Sequence, residues 1–256
     1  MCDLVPTASP AQPDQIVGIG LFLLGSCQAT LFTPDEEVSA IKLLSGLVPR
    51  WAERFNGEPF VLPINEVVPR ELPRLILSDR ENAWRCEISS GRINLYWRRT
   101  KPGLQPPTLG SFYSDATNLL LEYRNFLNAR VARLAAVVTR YTPIERPGLF
   151  LAKHFCHERW HAAPLNRPEN LELHAHKRFR FAGQFDVNSW VRNKTGKAAT
   201  SEGGVQDIVL VEQDINTASE EEPRVNFVDS DIGRFFGEVV PELDHILQLY
   251  YPETSR

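Results

Sequence analysis

Histidines cluster in one short part of the chain, around a string with the spacing of a zinc hydrolase. Five of the six histidines fall between residues 154 and 176, and residues 157–161 read HERWH, an HExxH pattern. On an α-helix, residues four apart share a face, so the imidazoles of His157 and His161 can bind one Zn²⁺. Glu158 then lies where it can deprotonate a metal-bound water. This spacing favours a zinc site with two histidine ligands and Glu158 as general base.

Three features of the same segment weaken the zinc hypothesis. Prolines at 147 and 164 confine any helix here to about four turns. Arg159 places a charge between the two ligands. The extended zinc-protease pattern requires Gly and His where this chain has Pro164 and Arg167, so the third ligand is undetermined. The alternative is a polar loop whose histidines are surface or hydrogen-bonded residues.

A second candidate site is a row of basic side chains on one predicted strand. Residues 171–181 alternate between apolar and polar, which is typical of a half-buried β-strand. Every second side chain would then lie on one polar face, which carries His174, His176, Arg178 and Arg180. With Trp190 on the next strand, such a face can follow phosphates and stack a base, as sheet-based single-strand binders do. The alternative is an ordinary solvated sheet face, which the acidic net charge favours.

The composition is that of an ordinary folded protein. Of the 256 residues, 43% are hydrophobic and 23% are charged, and the formal net charge of -4 gives no global attraction to nucleic acid or anionic membrane. Four widely spaced cysteines without a CxxC pair fit a reducing compartment. The apolar run 16–24 is too short to span a bilayer and lacks the basic residues that precede a secretory signal. We therefore expect a cytoplasmic protein without a membrane partner.

Hydrophobic periodicity predicts a similar order of elements in both halves. Residues 16–31 predict a central strand, and a capping box from Thr33 to Glu36 predicts a helix to about residue 55. Strands at 75–77, 84–88 and 93–97 predict a meander, and a helix follows from about 112 to 140. In the second half, strands are predicted at 171–181, 185–191 and 208–215, with a flexible polar loop at 193–204. A helix that begins near Asp229 and kinks at Pro241 closes the chain.

These elements predict an α+β fold in which two antiparallel β-meanders are each followed by a long amphipathic helix. The repeated order is compatible with an ancient duplication, although no residue-level repeat supports one. The predicted organisation is a flexible N-terminal tail at 1–14, an α+β half at 15–145 and a second α+β half at 146–256. The two halves are either separate units or one continuous domain.

The last two thirds of the chain resemble a family of bacterial proteins. The residues PGLFL at 147–151 follow a predicted long helix, and a long-strand meander ends in VEQDIN at 211–216, before the closing helix. In these features and in length, the chain resembles a sporadically distributed bacterial family that has no agreed activity. The resemblance implies a strand at 149–155. The patchy distribution suggests a genetic context such as a phage-defence locus, and no catalytic residue is transferred.

These features favour a non-enzymatic binding or interaction protein, one component of a multi-gene bacterial system, with no cofactor expected. The expected partner is another protein or a second copy of this chain, bound through the faces and edges of the sheets. Two alternatives remain open. One is a zinc-dependent hydrolase that uses the HExxH residues, and the other is a single-stranded nucleic-acid binder that uses the basic strand face.

Overall fold

The computed structural model describes residues 17–35, 38–62, 69, 71–101, 103–200 and 203–253. Its strands are β1 (Leu23–Phe32), β2 (Phe60–Val61), β3 (Leu75–Ser78), β4 (Trp84–Ser89), β5 (Arg92–Arg98), β6 (Arg133–Pro143), β7 (Glu172–Phe181), β8 (Phe185–Ala199) and β9 (Val205–Thr217). Its α-helices are α1 (Ala40–Gly46), α2 (Leu109–Leu127), α3 (Pro147–Phe155) and α4 (Asp229–Tyr250). Short 3-10 turns lie at 19–21, 48–51, 158–160 and 219–221.

The nine described strands form one antiparallel sheet, so the predicted fold class of two meanders, each followed by a long helix, is wrong. The strand order is β2-β3-β4-β5-β1-β6-β9-β8-β7. Strands β1 and β6 pair with each other along most of their length and connect the outer strands on either side. Residues from both predicted halves, 15–145 and 146–256, therefore contribute to the same sheet.

The predicted helix from 112 to 140 is wrong in its second part, because α2 ends at Leu127 and residues 133–143 form β6. Asn128 takes the left-handed conformation (φ 53°) at the end of α2, which is a common way to stop a helix. The segment that follows contains β-branched residues at 137–139, which favour a strand. Leu134 and Val138 of β6 are completely buried beneath the helices.

Three other element predictions need correction. The predicted helix from 33 to 55 is reduced to α1, which Ser39 caps by accepting from the Lys42 N–H, and a 3-10 turn over 48–51. The predicted polar loop at 193–204 is largely strand, since β8 continues to Ala199 and β9 begins at Val205. Residues 149–155 lie in α3 rather than in a strand. The predicted tail at 1–14 and Glu36 of the capping box lie outside the described residues.

Helices α2, α3 and α4 pack on one face of the sheet, which we call the helix face. Tyr113 of α2 and Phe236 of α4 stack with their ring centroids 5.8 Å apart and both are buried. Tyr251, immediately after α4, is completely buried against β8, where its hydroxyl donates to Asn193 Oδ1 at 2.8 Å. Helix α1 lies close to α2, where Gly46 meets the ring of Phe126. None of the described helices combines the length and apolarity needed to cross a bilayer.

Candidate functional site

The structure does not place the HExxH string on an α-helix. Helix α3 ends at Phe155, and Cys156 and His157 are both extended, with ψ angles of 150° and 137°. Residues 158–160 then form a single 3-10 turn. The side chain of His157 caps this turn, because its Nδ1 accepts a hydrogen bond from the Arg159 N–H at 3.2 Å. The shared helical face on which the zinc hypothesis depends is therefore absent from this segment.

The neighbouring histidines form hydrogen bonds to separate backbone carbonyls, and their side chains do not converge on one point. His154 Nε2 lies 2.7 Å from Tyr250 O, and His161 Nε2 lies 3.2 Å from Ala152 O. Because a carbonyl oxygen only accepts, each of these Nε2 atoms carries the proton and donates it. The His154 ring also stacks on Tyr251, with 5.0 Å between ring centroids. The His154 contacts connect the end of α3 to the end of α4, and the His161 contact connects the following turn back to α3.

No third ligand joins these histidines within the described residues. Glu158 is exposed, and no group of three or more His, Cys, Asp or Glu side chains in the described part of the chain is arranged to hold a metal ion. The arrangement matches the alternative of hydrogen-bonded and surface histidines. Zinc binding by His157 and His161, with Glu158 as the general base, stays a prediction that metal analysis can test.

The row of basic side chains does lie on one face of β7, at the edge of the sheet. Both arginines of the row already have acidic partners, and one of its histidines lies near a carboxylate. The guanidinium of Arg178 contacts Glu220 and Arg180 Nη1 lies 2.8 Å from Asp186 Oδ2, while His174 Nε2 lies 3.3 Å from a carboxylate oxygen of Glu172. The row is therefore charged but nearly neutral in sum.

This row belongs to a larger surface, the sheet face opposite the helix face, which we call the polar face. Within the described chain, no α-helix packs on it. Alternate residues of the central and outer strands form it, in register across the sheet. Its principal members are Gln28, Thr30, Glu87, Asn94, Tyr96, Arg133, His176, Arg178, Asn188, Trp190, Arg192, Glu212, Asp214 and Asn216.

The centre of the polar face is a hydrogen-bonded network that is buried from water. Thr30 Oγ1 donates to Asn94 Oδ1 at 2.9 Å, and Gln28 Nε2 donates to Thr30 Oγ1 at 3.0 Å. Thr30 is 1% exposed and Asn94 is 3% exposed. Buried polar groups of this kind are stable only when they are paired, so the network fixes the positions of these side chains.

A carboxylate lies in the same poorly hydrated centre. Asp214 Oδ1 accepts from Asn216 Nδ2 at 2.8 Å, and Asn216 Oδ1 accepts in turn from the guanidinium of Arg133 at 2.8 Å. Burial raises the pKa of the Asp214 carboxyl, although the Asn216 hydrogen bond opposes that shift. The polar face therefore has a preorganised centre that carries charge in a site with restricted access to water.

Aromatic rings flank this centre on both sides. The His176 ring stacks on Trp190 with 4.1 Å between ring centroids and an interplanar angle of 14°, and the Arg192 guanidinium lies 5.6 Å from the Trp190 ring centroid. On the other side, the Arg98 guanidinium lies 4.9 Å from the Tyr96 ring centroid. Burial raises the pKa of the Tyr96 hydroxyl to about 12, and the nearby Glu87 carboxylate adds to this shift. Both rings are half-buried, so part of each remains accessible at the surface.

A separate cleft of about 830 Å³ lies beside the start of α3. Its charged lining consists of Arg146, Arg167, Lys197, Glu169 and Asp207. The cations and carboxylates are mixed, and all five of these side chains belong to exposed residues. Because none of these charged side chains is buried, the cleft is a weaker candidate site than the polar face, whose central polar groups are buried and hydrogen-bonded.

Sequence reasoning found only the edge of the polar face. The row on β7 was visible because its alternation is regular. The central residues Thr30, Asn94 and Asp214 also lie in segments that were predicted as strands, but none of them was identified as a site residue, and only β6, which carries Arg133, was predicted as helix. A usable signal was present on β9, where Glu212, Asp214 and Asn216 alternate with buried Val211 and Ile215. That alternation marks a strand with one polar face, and it identifies the carboxylate at the centre.

Comparisons with known proteins leave the family of the chain open. No protein-family model matches it, and the curated proteins contain no significant relative. The resemblance to a sporadically distributed bacterial family therefore stays a prediction, and the function must be argued from the geometry of the polar face.

Proposed function

We propose that this chain is a non-enzymatic binding protein that contacts another protein through the polar face of its sheet. The observation that supports this proposal most directly is the pairing of the cations on that face. Arg192 contacts Glu212, Arg178 contacts Glu220, and Arg85 Nε lies 2.6 Å from Glu87 Oε1. A surface of alternating, mutually neutralised charges complements a polar protein surface better than a polyanion, which needs uncompensated cations.

The aromatic and arginine content of the polar face supports the same proposal. Trp, Tyr and Arg are the residue types that are enriched where protein interfaces derive most of their binding free energy. Trp190 and Tyr96 are half-buried, so little side-chain entropy is lost when a partner covers them. The buried network between them keeps the surface in one shape before binding, which lowers the cost of association.

Site-specific photo-crosslinking tests this proposal. A photoreactive residue replaces Arg98, an exposed side chain of the polar face, or Glu238, an exposed side chain of α4. In cells that express the chain together with its neighbouring genes, we expect a discrete protein adduct from position 98 and none from position 238. Trp190→Ala, in the variant with the photoreactive residue at 98, should abolish the adduct. Equal adducts from the two positions, or an adduct unaffected by Trp190→Ala, would contradict the proposal.

A second candidate function is single-stranded nucleic-acid binding, which the Trp190–His176 stack and the nearby Arg192 favour. Sheet-based binders combine such a ring with cations that follow the backbone. The test is fluorescence anisotropy of a labelled oligonucleotide at low salt, with Arg178→Ala and Arg180→Ala combined, and Arg234→Ala on α4 as the matched control. Salt-sensitive binding that only the double variant weakens would support this function. Absence of binding at low salt would exclude it.

The wider setting is proposed from the sequence alone. Composition and cysteine spacing support a cytoplasmic location, and the family resemblance supports a place in a multi-component bacterial system such as phage defence. A zinc-dependent hydrolase remains the enzymatic alternative. Its support is confined to the HExxH spacing, because residues 157–161 do not form an α-helix.

A further inference from the structure

Strand β7 presents a long, accessible edge. It is the terminal strand of the sheet and spans ten residues, most of which are exposed. The Thr195 N–H donates to Leu171 O, so the odd-numbered residues of this segment direct their backbone groups towards β8. By the alternation of an antiparallel pair, the even-numbered residues from Glu172 to Arg180 direct their N–H and C=O groups away from the sheet. These groups are available to another strand.

The side chains of β7 complement a second copy of the same strand in one antiparallel register. When residue 176 lies opposite residue 176 of the other copy, Glu172 lies opposite Arg180, and this ion pair occurs twice. On the opposite face of the strand, Leu173 lies opposite Phe179, and this apolar pair also occurs twice. Leu173 is 37% exposed, so the monomer leaves apolar surface there that the second strand would cover. In this register, each residue whose N–H and C=O point away from its own sheet lies opposite another such residue, so the two strands can exchange hydrogen bonds along the edge.

The adjacent registers are worse for identifiable reasons. A shift that places residue 177 opposite itself brings two Lys177 ammonium groups together, and like charges directly opposite each other are destabilising. A shift in the other direction places residue 175 opposite itself. It sets Glu172 opposite Arg178, but it leaves Arg180 opposite uncharged Asn170 and sets Lys177 against the apolar side chain of Leu173. Charged residues on an edge strand usually prevent pairing. Here the Glu172–Arg180 pair favours the register with residue 176 at the axis, in which Lys177 lies opposite the small side chain of Ala175 and His174 lies opposite Arg178.

We propose that two copies of this chain associate through antiparallel pairing of their β7 strands, with residue 176 at the two-fold axis. The sheets of the two copies then form one continuous sheet, and their polar faces lie on the same side. Arg180 keeps Asp186 as an intramolecular partner and gains Glu172 of the other copy, since a guanidinium has donors for two carboxylates. The dimer contact uses the backbone edge of β7, whereas the protein partner proposed above contacts the side chains of the polar face.

Charge reversal and charge exchange test the register. The full chain should be a dimer by sedimentation velocity at about 100 µM, a concentration suited to a weak interface. Glu172→Arg and Arg180→Glu should each weaken dimerisation about tenfold or more, because each creates two like-charge pairs. Combined in one chain, they should restore it. Positions 172 and 180 are about 26 Å apart along one strand, so rescue requires contact between copies.

Cysteine crosslinking gives a second measurement that does not depend on affinity. In a background with Ser at positions 2 and 156, His176→Cys should form an intermolecular disulfide under mild oxidation, since directly opposite residues have Cα atoms about 5.5 Å apart. Arg178→Cys is the matched control, because its counterpart lies about four residues away across the axis. A monomeric wild-type chain, failure of the charge exchange to restore the dimer, or equal crosslinking at 176 and 178 would overturn the proposal. Loss of the photo-crosslinked adduct with retention of the dimer would instead refute only the proposed function.

Discussion

The interaction between Arg140 and Asp244 attaches α4 to the sheet. We expect substitution of Asp244 to lower the free energy of unfolding more than substitution of Arg140 does. Arg140 projects from β6 into the core, where its side chain is 7% exposed, and its guanidinium donates to Asp244 of α4 and to Gln213 of β9. Asp244 is half-exposed, with 48% of its side chain accessible. Burial lowers the pKa of Arg140, which the Asp244 carboxylate partly offsets.

The difference in exposure determines which substitution costs more. Asp244→Ala leaves a buried guanidinium without its counter-ion, and breaking a buried pair in this way costs about 3–5 kcal/mol. Because the pair is open to water on the Asp244 side, we expect the lower end, about 3 kcal/mol. Arg140→Met removes the buried charge itself, allows Asp244 to be hydrated and leaves only Gln213 Oε1 without its donor. That should cost about 1 kcal/mol.

Urea unfolding followed by tryptophan fluorescence measures both effects. We expect Asp244→Ala to lower the free energy of unfolding by about 2 kcal/mol more than Arg140→Met does. In a domain of this size, the difference corresponds to about 4–8 °C in Tm. The double variant should resemble Arg140→Met alone, because the cost of Asp244→Ala comes from the stranded charge. If Arg140→Met is as destabilising as Asp244→Ala, or if the two costs add, the reasoning is wrong.

Three further outcomes follow from single contacts. Asp214→Asn should raise Tm near pH 7, because burial raises the pKa of that carboxyl. The gain should shrink in acid, since the wild-type group protonates as pH falls through its folded pKa; a constant gain would refute this cause. Tyr251→Phe should cost about 1–3 kcal/mol in urea unfolding, because it leaves buried Asn193 Oδ1 without its donor; a neutral effect would contradict that contact. If the zinc alternative holds, chain purified without chelator retains about one zinc, which His161→Ala removes; absence of metal in the wild type would contradict it.

The elements that could be predicted from sequence are those in which the spacing of apolar residues shows which face is buried. The alternation from residue 171 to 181 identified β7 and its polar row, and the apolar stripe after Asp229 identified α4. The strands β3, β4 and β5 lie close to their predicted positions for the same reason. In β7 and α4, one face of the element contacts the core and the other contacts water, whereas β5 also buries Asn94 on its polar face.

The central strand β6 could not be predicted in this way because both of its faces are shielded. In β6, residues 134–136 are all buried, so the strand lacks the alternation that distinguishes it from a buried helix. An apolar run that follows an amphipathic helix then reads as its continuation. The β-branched residues at 137–139 favour a strand only weakly, and the long-range pairing with β1 and β9, which no local pattern encodes, determines that this segment is extended. The mistake at β6 also hid the continuity of the sheet.

The HExxH string shows why spacing alone is insufficient evidence for a metal site. His157 and His161 share a face only if the backbone between them is α-helical. The helix ends before the string begins, although α3 itself starts at Pro147, where proline is well suited to the first helical turn. The extended conformation of Cys156 and His157 directs the chain away from the helix axis, and His161 returns to bond Ala152. The same residues therefore stabilise a turn.

The polar face combines features that a sheet needing only stability would not require. An antiparallel sheet can leave one face in water at little cost if that face carries separate, hydrated side chains. Here the side chains instead form a buried network around Thr30 and Asn94 and a poorly hydrated carboxylate at Asp214. Desolvating a carboxylate costs free energy that hydrophobic packing on the helix face must offset. This retained cost is consistent with the proposed role of the polar face in binding a protein partner, and a β7-paired dimer would present two such surfaces on one side of a shared sheet.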